Sequence, residues 1–164
     1  MNALEILQNG HATVLAAIRD LPEEDWMTPG VCGFWSVKDI IAHLASFEQV
    51  LVDVLKSLLV SRSSTPTLDR LRQDFDRFND IEVEARQRLS AAEILAEYND
   101  AHEQAVQLLA RIPWEDRVVR GSLPWYGAEY DLDDFIAYMY YGHKQEHCAQ
   151  IGVFRDQRVR QLVA

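Results

Sequence analysis

The sequence predicts an all-α protein, a four-helix bundle with a short extra helical segment between its second and third long helices. Three observations carry this. Apolar residues recur at helical spacing in four long stretches. Convincing strand alternation is absent. Two capping-box starts and several breaks rich in Pro, Gly and Ser mark where the helices begin and end.

The first stretch runs from about Ala3 to Asp20, with Leu4, Leu7, Val14, Leu15 and Ile18 on one side, and Pro22 stops it. A loop with Pro29, Gly30 and Gly33 follows. Ser36 opens the second helix through a capping-box-like Ser-Val-Lys-Asp start, and Ile40, Ile41, Leu44, Phe47, Leu51, Leu55 and Leu58 mark its buried face. Ser61–Thr67, "SRSSTPT", breaks it. Leu68–Leu89 is charged and helical in part, anchored by Phe75 and Phe78. Ser90–Glu93, "SAAE", is the second capping box. It starts a helix running to about Arg111, with Ile94, Tyr98, Ala105, Leu108 and Ile112 on the inner side. Pro113 ends that helix, a loop rich in Gly, Pro and Trp follows, and a last helix is expected from Leu132 to Phe154. Four amphipathic helices of about 20 residues, each about 30 Å long, suit a bundle.

The chain of 164 residues is expected to form one domain, residues 1–164, with 48% hydrophobic and 26% charged residues. A net charge of −10 repels phosphate backbones and anionic lipid, which argues against a nucleic-acid partner. The opening residues lack a basic region followed by an apolar run, so no signal peptide is expected. Asp53 and Lys56 cut the longest apolar stretch, so no membrane span is expected either. Two cysteines, Cys32 and Cys148, make neither a disulfide framework nor a CxxC motif, and the expected compartment is the reducing cytoplasm.

The chemistry concentrates in Tyr140–Gly152, "YYGHKQEHCAQIG". His143 and His147 fall about 40° apart on a helix, flanked on the same arc by Leu132, Ile136, Met139, Tyr140, Ile151 and Phe154. Two imidazoles stacked in an apolar stripe are hard to satisfy as core residues, because each needs polar partners among Ile, Met and Phe. A metal ion serves both at once. The literal match to the H-x-x-E-H zinc-protease motif fails as an expectation, since that class takes its third ligand well downstream. Only 17 residues follow His147 here, and none is Glu. The third ligand is therefore sought upstream, among His11, His43 and His102. Periodicity does not choose among these and, if anything, favours His11.

Gly33–Glu48, "GFWSVKDIIAHLASFE", resembles the signature of the DinB-like superfamily, in which a Trp-Ser-x-x-(Asp/Glu) start opens a helix with a His one to two turns in. The H-x-x-x-H of His143 and His147 is similar to that superfamily's second element. The resemblance spans nearly the whole chain. It implies an up-down-down-up bundle and a divalent metal held by His43, His143 and His147, leaving His11 and His102 to structural roles. "FNDIEVEARQRLSAAEILAEYNDAHEQ" and the Trp-containing loop look most similar to the ClbS-like branch, linked to self-protection against a reactive genotoxin by ring-opening hydrolysis. Other branches transfer low-molecular-weight thiols to electrophiles.

The expected function is thus that of a metal-dependent hydrolase or thiol transferase acting on a small electrophile. The non-catalytic alternative is a stress or self-protection protein that binds a metal or ligand. The ligand set suits Zn²⁺, Ni²⁺ or Fe²⁺. A low-molecular-weight thiol is a candidate co-substrate, and a homodimer fits the resemblance. Glu146 is a candidate proton acceptor or hydrogen-bond acceptor for a ligating imidazole. Trp35, Trp125, Tyr126 and Tyr140 are candidate pocket walls. Arg117 and Arg120 can meet a substrate carboxylate or form surface salt bridges. Cys148 points away from the histidines, and Cys32 has no adjacent base.

Overall fold

Gly10 of the first helix has no room for a side chain. A Cβ placed there would lie 2.3 Å from the Tyr140 carbonyl oxygen and 3.3 Å from Lys144 Cδ. Helices α1 (Ala3–Ile18) and α9 (His143–Val163) pack together, and α1 also packs on the π-helical turn Tyr138–Gly142 that precedes α9. The computed structural model describes residues 2–163, and its helical segments come without a strand among them.

The chain divides into two compact units. The first takes the chain up to Ile40 and from Ile136 onward. Its α1 begins with a capping box between Asn2 and Glu5. Ala3, Leu7, Gly10, Val14 and Ile18, spaced by three or four residues, form the buried face. The helix ends two residues earlier than its apolar pattern suggests. Asp20 adopts a left-handed φ of 55°, which closes the helix before Pro22 is reached. Arg155 donates from Nη1 to the Ala17 carbonyl at 2.7 Å, satisfying one of the free carbonyls at that end. Arg158 Nε donates to Asp25 Oδ1 at 2.7 Å and fastens the short helix α2 (Glu23–Trp26) to α9.

The last helix is not continuous. It comprises α8 (Leu132–Ala137), the π turn, and α9, which reaches Val163 rather than stopping at Phe154. The His143 N–H bonds to the Tyr138 carbonyl, five residues back instead of four. The buried positions consequently depart from an uninterrupted helical wheel. Tyr140, Lys144, His147, Ile151 and Phe154 are buried, while Met139 and His143 are half-buried.

The second unit, Ile41–Phe135, holds most of α3 (Val37–Leu59), α4 (Pro66–Gln73), α5 (Phe78–Ala85), α6 (Ala91–Leu109) and α7 (Trp114–Arg117). The capping box at the start of α3 is present: Ser36 N–H donates to Asp39 Oδ2 and Asp39 N–H to Ser36 Oγ. So is the one at Ser90–Glu93. Along α3, Ile41, Leu44, Phe47, Leu51 and Leu55 are buried, but Leu58 in the last turn is 40% exposed. Asp53, which interrupts that apolar run, accepts the backbone N–H groups of Thr67 and Leu68 and caps α4. The charged segment after the break forms α4 and α5. Phe78 anchors it in the core, whereas Phe75, expected to do the same, lies between the two helices and is 65% exposed. Arg86 is buried between Glu82 (2.8 Å) and Glu97 (2.7 Å), and Gln49 adds a hydrogen bond to Glu97 at 2.6 Å.

Candidate metal centre

The histidine pair belongs to the first turns of α9. His143 closes the π turn and His147 follows one helical turn later, so their rings meet edge to face with centroids 4.7 Å apart. Their Nε2 atoms are 3.0 Å apart. On its other side, His147 Nδ1 lies 2.9 Å from Gln150 Oε1. With that oxygen accepting, Nδ1 carries the proton and Nε2 the lone pair, directed at His143.

Burial is the main reason both rings favour the neutral form. It pushes the His143 pKa down to about 4, helped by His147 and Lys144 and opposed by the Met139 carbonyl. His147 is lowered for the same reason, with Gln150 and Glu146 acting in the opposite direction. Neutral imidazole is the form that binds metal. Two such nitrogens around one ion at about 2.0–2.1 Å stand roughly 2.9 Å apart at a right angle and roughly 3.3 Å apart at the tetrahedral angle. The observed 3.0 Å falls in that interval.

His43, on α3, is 2% exposed and packs edge-on to Phe47, which in turn meets Phe78 edge-on at 5.7 Å. Among the described residues, His43, His143 and His147 form a group that can hold a metal ion, with one ring nitrogen of each within 4.8 Å of the others. Three nitrogen donors free of anionic ligands fit a borderline divalent ion better than a hard one. The two remaining histidines are placed elsewhere. His11 is half-buried on α1, and His102 on α6 lies 3.7 Å from the buried carboxylate of Glu48.

Each of the other expected site residues has surroundings of its own. Glu146 is exposed on α9, and it is Gln150, unremarked in the sequence reading, whose side chain meets the His147 ring. Its position three residues after His147 was the available signal. Tyr140 is the fully buried residue of the π turn, with Lys144 Nζ 5.8 Å from its ring. Trp35 is half-buried in the loop before α3, where its backbone bridges to Cys32. Trp125 and Tyr126 share a different cleft with Leu71, Arg72 and Phe75. Arg117 lies 3.7 Å from Asp133, in a salt bridge. Burial raises the Cys148 thiol to about 11, so it stays protonated and is a poor ligand.

Fold and site together define a helical protein carrying a three-histidine group suited to a divalent ion. The chain matches the family described as mycothiol maleylpyruvate isomerase N-terminal domain over residues 7–133. It belongs to that family, which is itself part of the DinB-like superfamily. The matched residues include His43 and end before His143 and His147. The narrower ClbS-like likeness remains a resemblance. No curated protein and no solved structure matches the chain. No helix of the described residues is long and apolar enough to cross a membrane.

Proposed function

We propose that His43, His143 and His147 hold one divalent ion, with Zn²⁺, Ni²⁺ or Fe²⁺ as the candidates. On this reading the protein is an enzyme that brings a low-molecular-weight thiol of the mycothiol kind together with a small reactive electrophile. The observation that carries the reading is the pair of imidazoles whose Nε2 atoms lie 3.0 Å apart, the spacing of two ligands on one ion. Two lone pairs at that distance repel unless a proton or a cation lies between them. Family membership favours a thiol over water as the nucleophile. The proposed bundle runs up-down-down-up through α1, α3, α6 and α9.

When bound, the ion supplies Lewis acidity, which lowers the pKa of a thiol or water held beside it. The chain supplies the rest. Burial keeps His143 and His147 unprotonated and ready to donate. Gln150 fixes the His147 tautomer by accepting a hydrogen bond from its Nδ1–H at Oε1. Glu146, on the exposed side of α9, is the proposed acceptor for the proton that leaves the nucleophile.

Elemental analysis of purified protein is expected to give about one divalent ion per chain. Mass spectrometry with mycothiol and a panel of electrophiles is expected to show an adduct or isomerised product only for the metal-loaded protein. Ring-opened product without thiol assigns the site to hydrolysis. Metal binding without turnover of any kind assigns it to a binding protein. Undiminished activity after metal stripping overturns the proposal.

A further inference from the structure

The second unit contains a cleft that the histidine group does not use. It is lined by the rings of Phe75, Trp125 and Tyr126, by buried Leu71 and by exposed Arg72, and encloses about 380 Å³. That volume falls in the range of small-ligand sites. The cleft is built rather than incidental. Trp125 and Tyr126 both pack edge-on against the buried ring of Phe135, with centroids 5.5 Å and 4.9 Å away. Tyr126 is held from the other side by Tyr130 at 5.2 Å. Gly127 makes that last packing possible, since its φ of 152° suits glycine and a Cβ there would lie 2.8 Å from the Tyr130 ring.

Against this braced wall, Phe75 stands 65% exposed in the short link between α4 and α5. An exposed aromatic ring lining the same cleft as two braced aromatic rings offers apolar face to a flat guest. The single charged group among the lining residues is Arg72. A guanidinium at the mouth repels a cationic guest and attracts an anionic one, which separates this cleft from an aromatic cage for ammonium groups.

We infer that Phe75, Trp125, Tyr126 and Arg72 form a binding site for a planar aromatic molecule carrying a carboxylate. The ring enters between Phe75 and the Trp125–Tyr126 wall, and the carboxylate meets Arg72. This site is independent of the metal reading, because none of its residues belongs to the histidine group.

Calorimetric titration of the whole protein with naphthalene-2-carboxylate tests the assignment, using naphthalene-2-methanol, naphthalene-2-methylammonium and cyclohexanecarboxylate as comparators. The expected result is saturable one-to-one binding of the naphthoate, tightest of the four. Phe75→Ala and Trp125→Leu are each expected to weaken it about tenfold. Arg72→Gln is expected to weaken the naphthoate about three- to fivefold and leave the alcohol unchanged. Phe75 and Arg72 are exposed, so their variants keep the fold even if Trp125→Leu does not. Absence of saturable binding at millimolar ligand overturns the inference. Binding indifferent to both Phe75→Ala and Arg72→Gln, or a preference for the ammonium, overturns it equally.

Discussion

Two buried polar clusters in this chain solve the cost of burial in opposite ways. Around Arg86 the groups are complementary: the guanidiniums of Arg86 and Arg70, two carboxylates and the amide of Gln49, with contacts of 2.6–2.8 Å. Every charge there has its counter-charge within the same unit. Burial disfavours ionisation, but the ion pairs outweigh it, raising the pKa of Arg86 and lowering that of Glu82. The His143–His147 pair brings like to like. Two identical rings meet nitrogen to nitrogen, and burial drives both toward neutrality. A cluster that neutralises itself is a structural device. One made of two neutral donors, with no charge of its own to balance, is suited to holding an ion.

That contrast is sharpest when the two clusters are broken separately. His143→Ala is expected to take bound metal from about one ion per chain to near none, measured by elemental analysis after gel filtration, while the chain stays folded by circular dichroism. Arg86→Met is expected to do the reverse. It leaves Glu82 with Arg70 alone and Glu97 with only the Gln49 amide, costs about 3 kcal/mol in urea unfolding, and leaves metal content unchanged. Adding Glu82→Gln and Glu97→Gln to Arg86→Met is expected to recover much of the loss. If the two single variants shift the same observable, the clusters are not distinct in kind.

Acid separates them more gently. The folded His143 pKa of about 4 lies below its ordinary 6.5, so the unfolded chain takes up a proton first as pH falls. Metal-free protein is therefore expected to be fully stabilised above about pH 6.5 and to lose up to about 3 kcal/mol between there and pH 4. His147 contributes in the same direction. Urea midpoints at pH 7, 5.5 and 4, compared with those of His143→Asn, measure this. A difference between the two proteins that does not change with pH means the ring is not desolvated.

The smallest effect concerns what holds the histidine pair in place. Gly10→Ala drives a methyl group into the Tyr140 carbonyl and is expected to cost about 1–3 kcal/mol, with weaker metal binding. Gly142→Ala, in the same turn, has its nearest neighbour at 3.8 Å and is expected to leave both stability and metal affinity nearly unchanged. Equal behaviour of the two variants removes Gly10 from the account.

Much of the fold was legible because its signals are local. Ser36-Val-Lys-Asp and Ser90-Ala-Ala-Glu mark helix starts through bonds made within four residues. The buried stripes of α1, α3 and α6 follow from spacing alone. What spacing could not reveal depends on partners distant in sequence. Asp53 reads as a flaw in an apolar run until Thr67 and Leu68 present their N–H groups to it. Phe75 reads as an anchor because its type is apolar, yet its link between helices leaves it exposed. For the metal group, the pair on α9 was visible from its spacing. The spacing did not select His43 over His11, and the likeness at Gly33–Glu48 did.

The π turn at Tyr138–Gly142 has a consequence for changes in chain length. A regular α-helix advances about 100° per residue, so one residue more or fewer before His143 turns everything after it by about that angle. Most surface segments absorb an insertion or deletion as a longer or shorter loop. Here a single-residue deletion within the turn is absorbed by restoring ordinary helical hydrogen bonding, which leaves a sound helix whose histidines face close to their present direction. The turn thus takes up a one-residue change that would otherwise re-aim His143 and His147, with Gly10 of α1 packed close against its Tyr140 carbonyl.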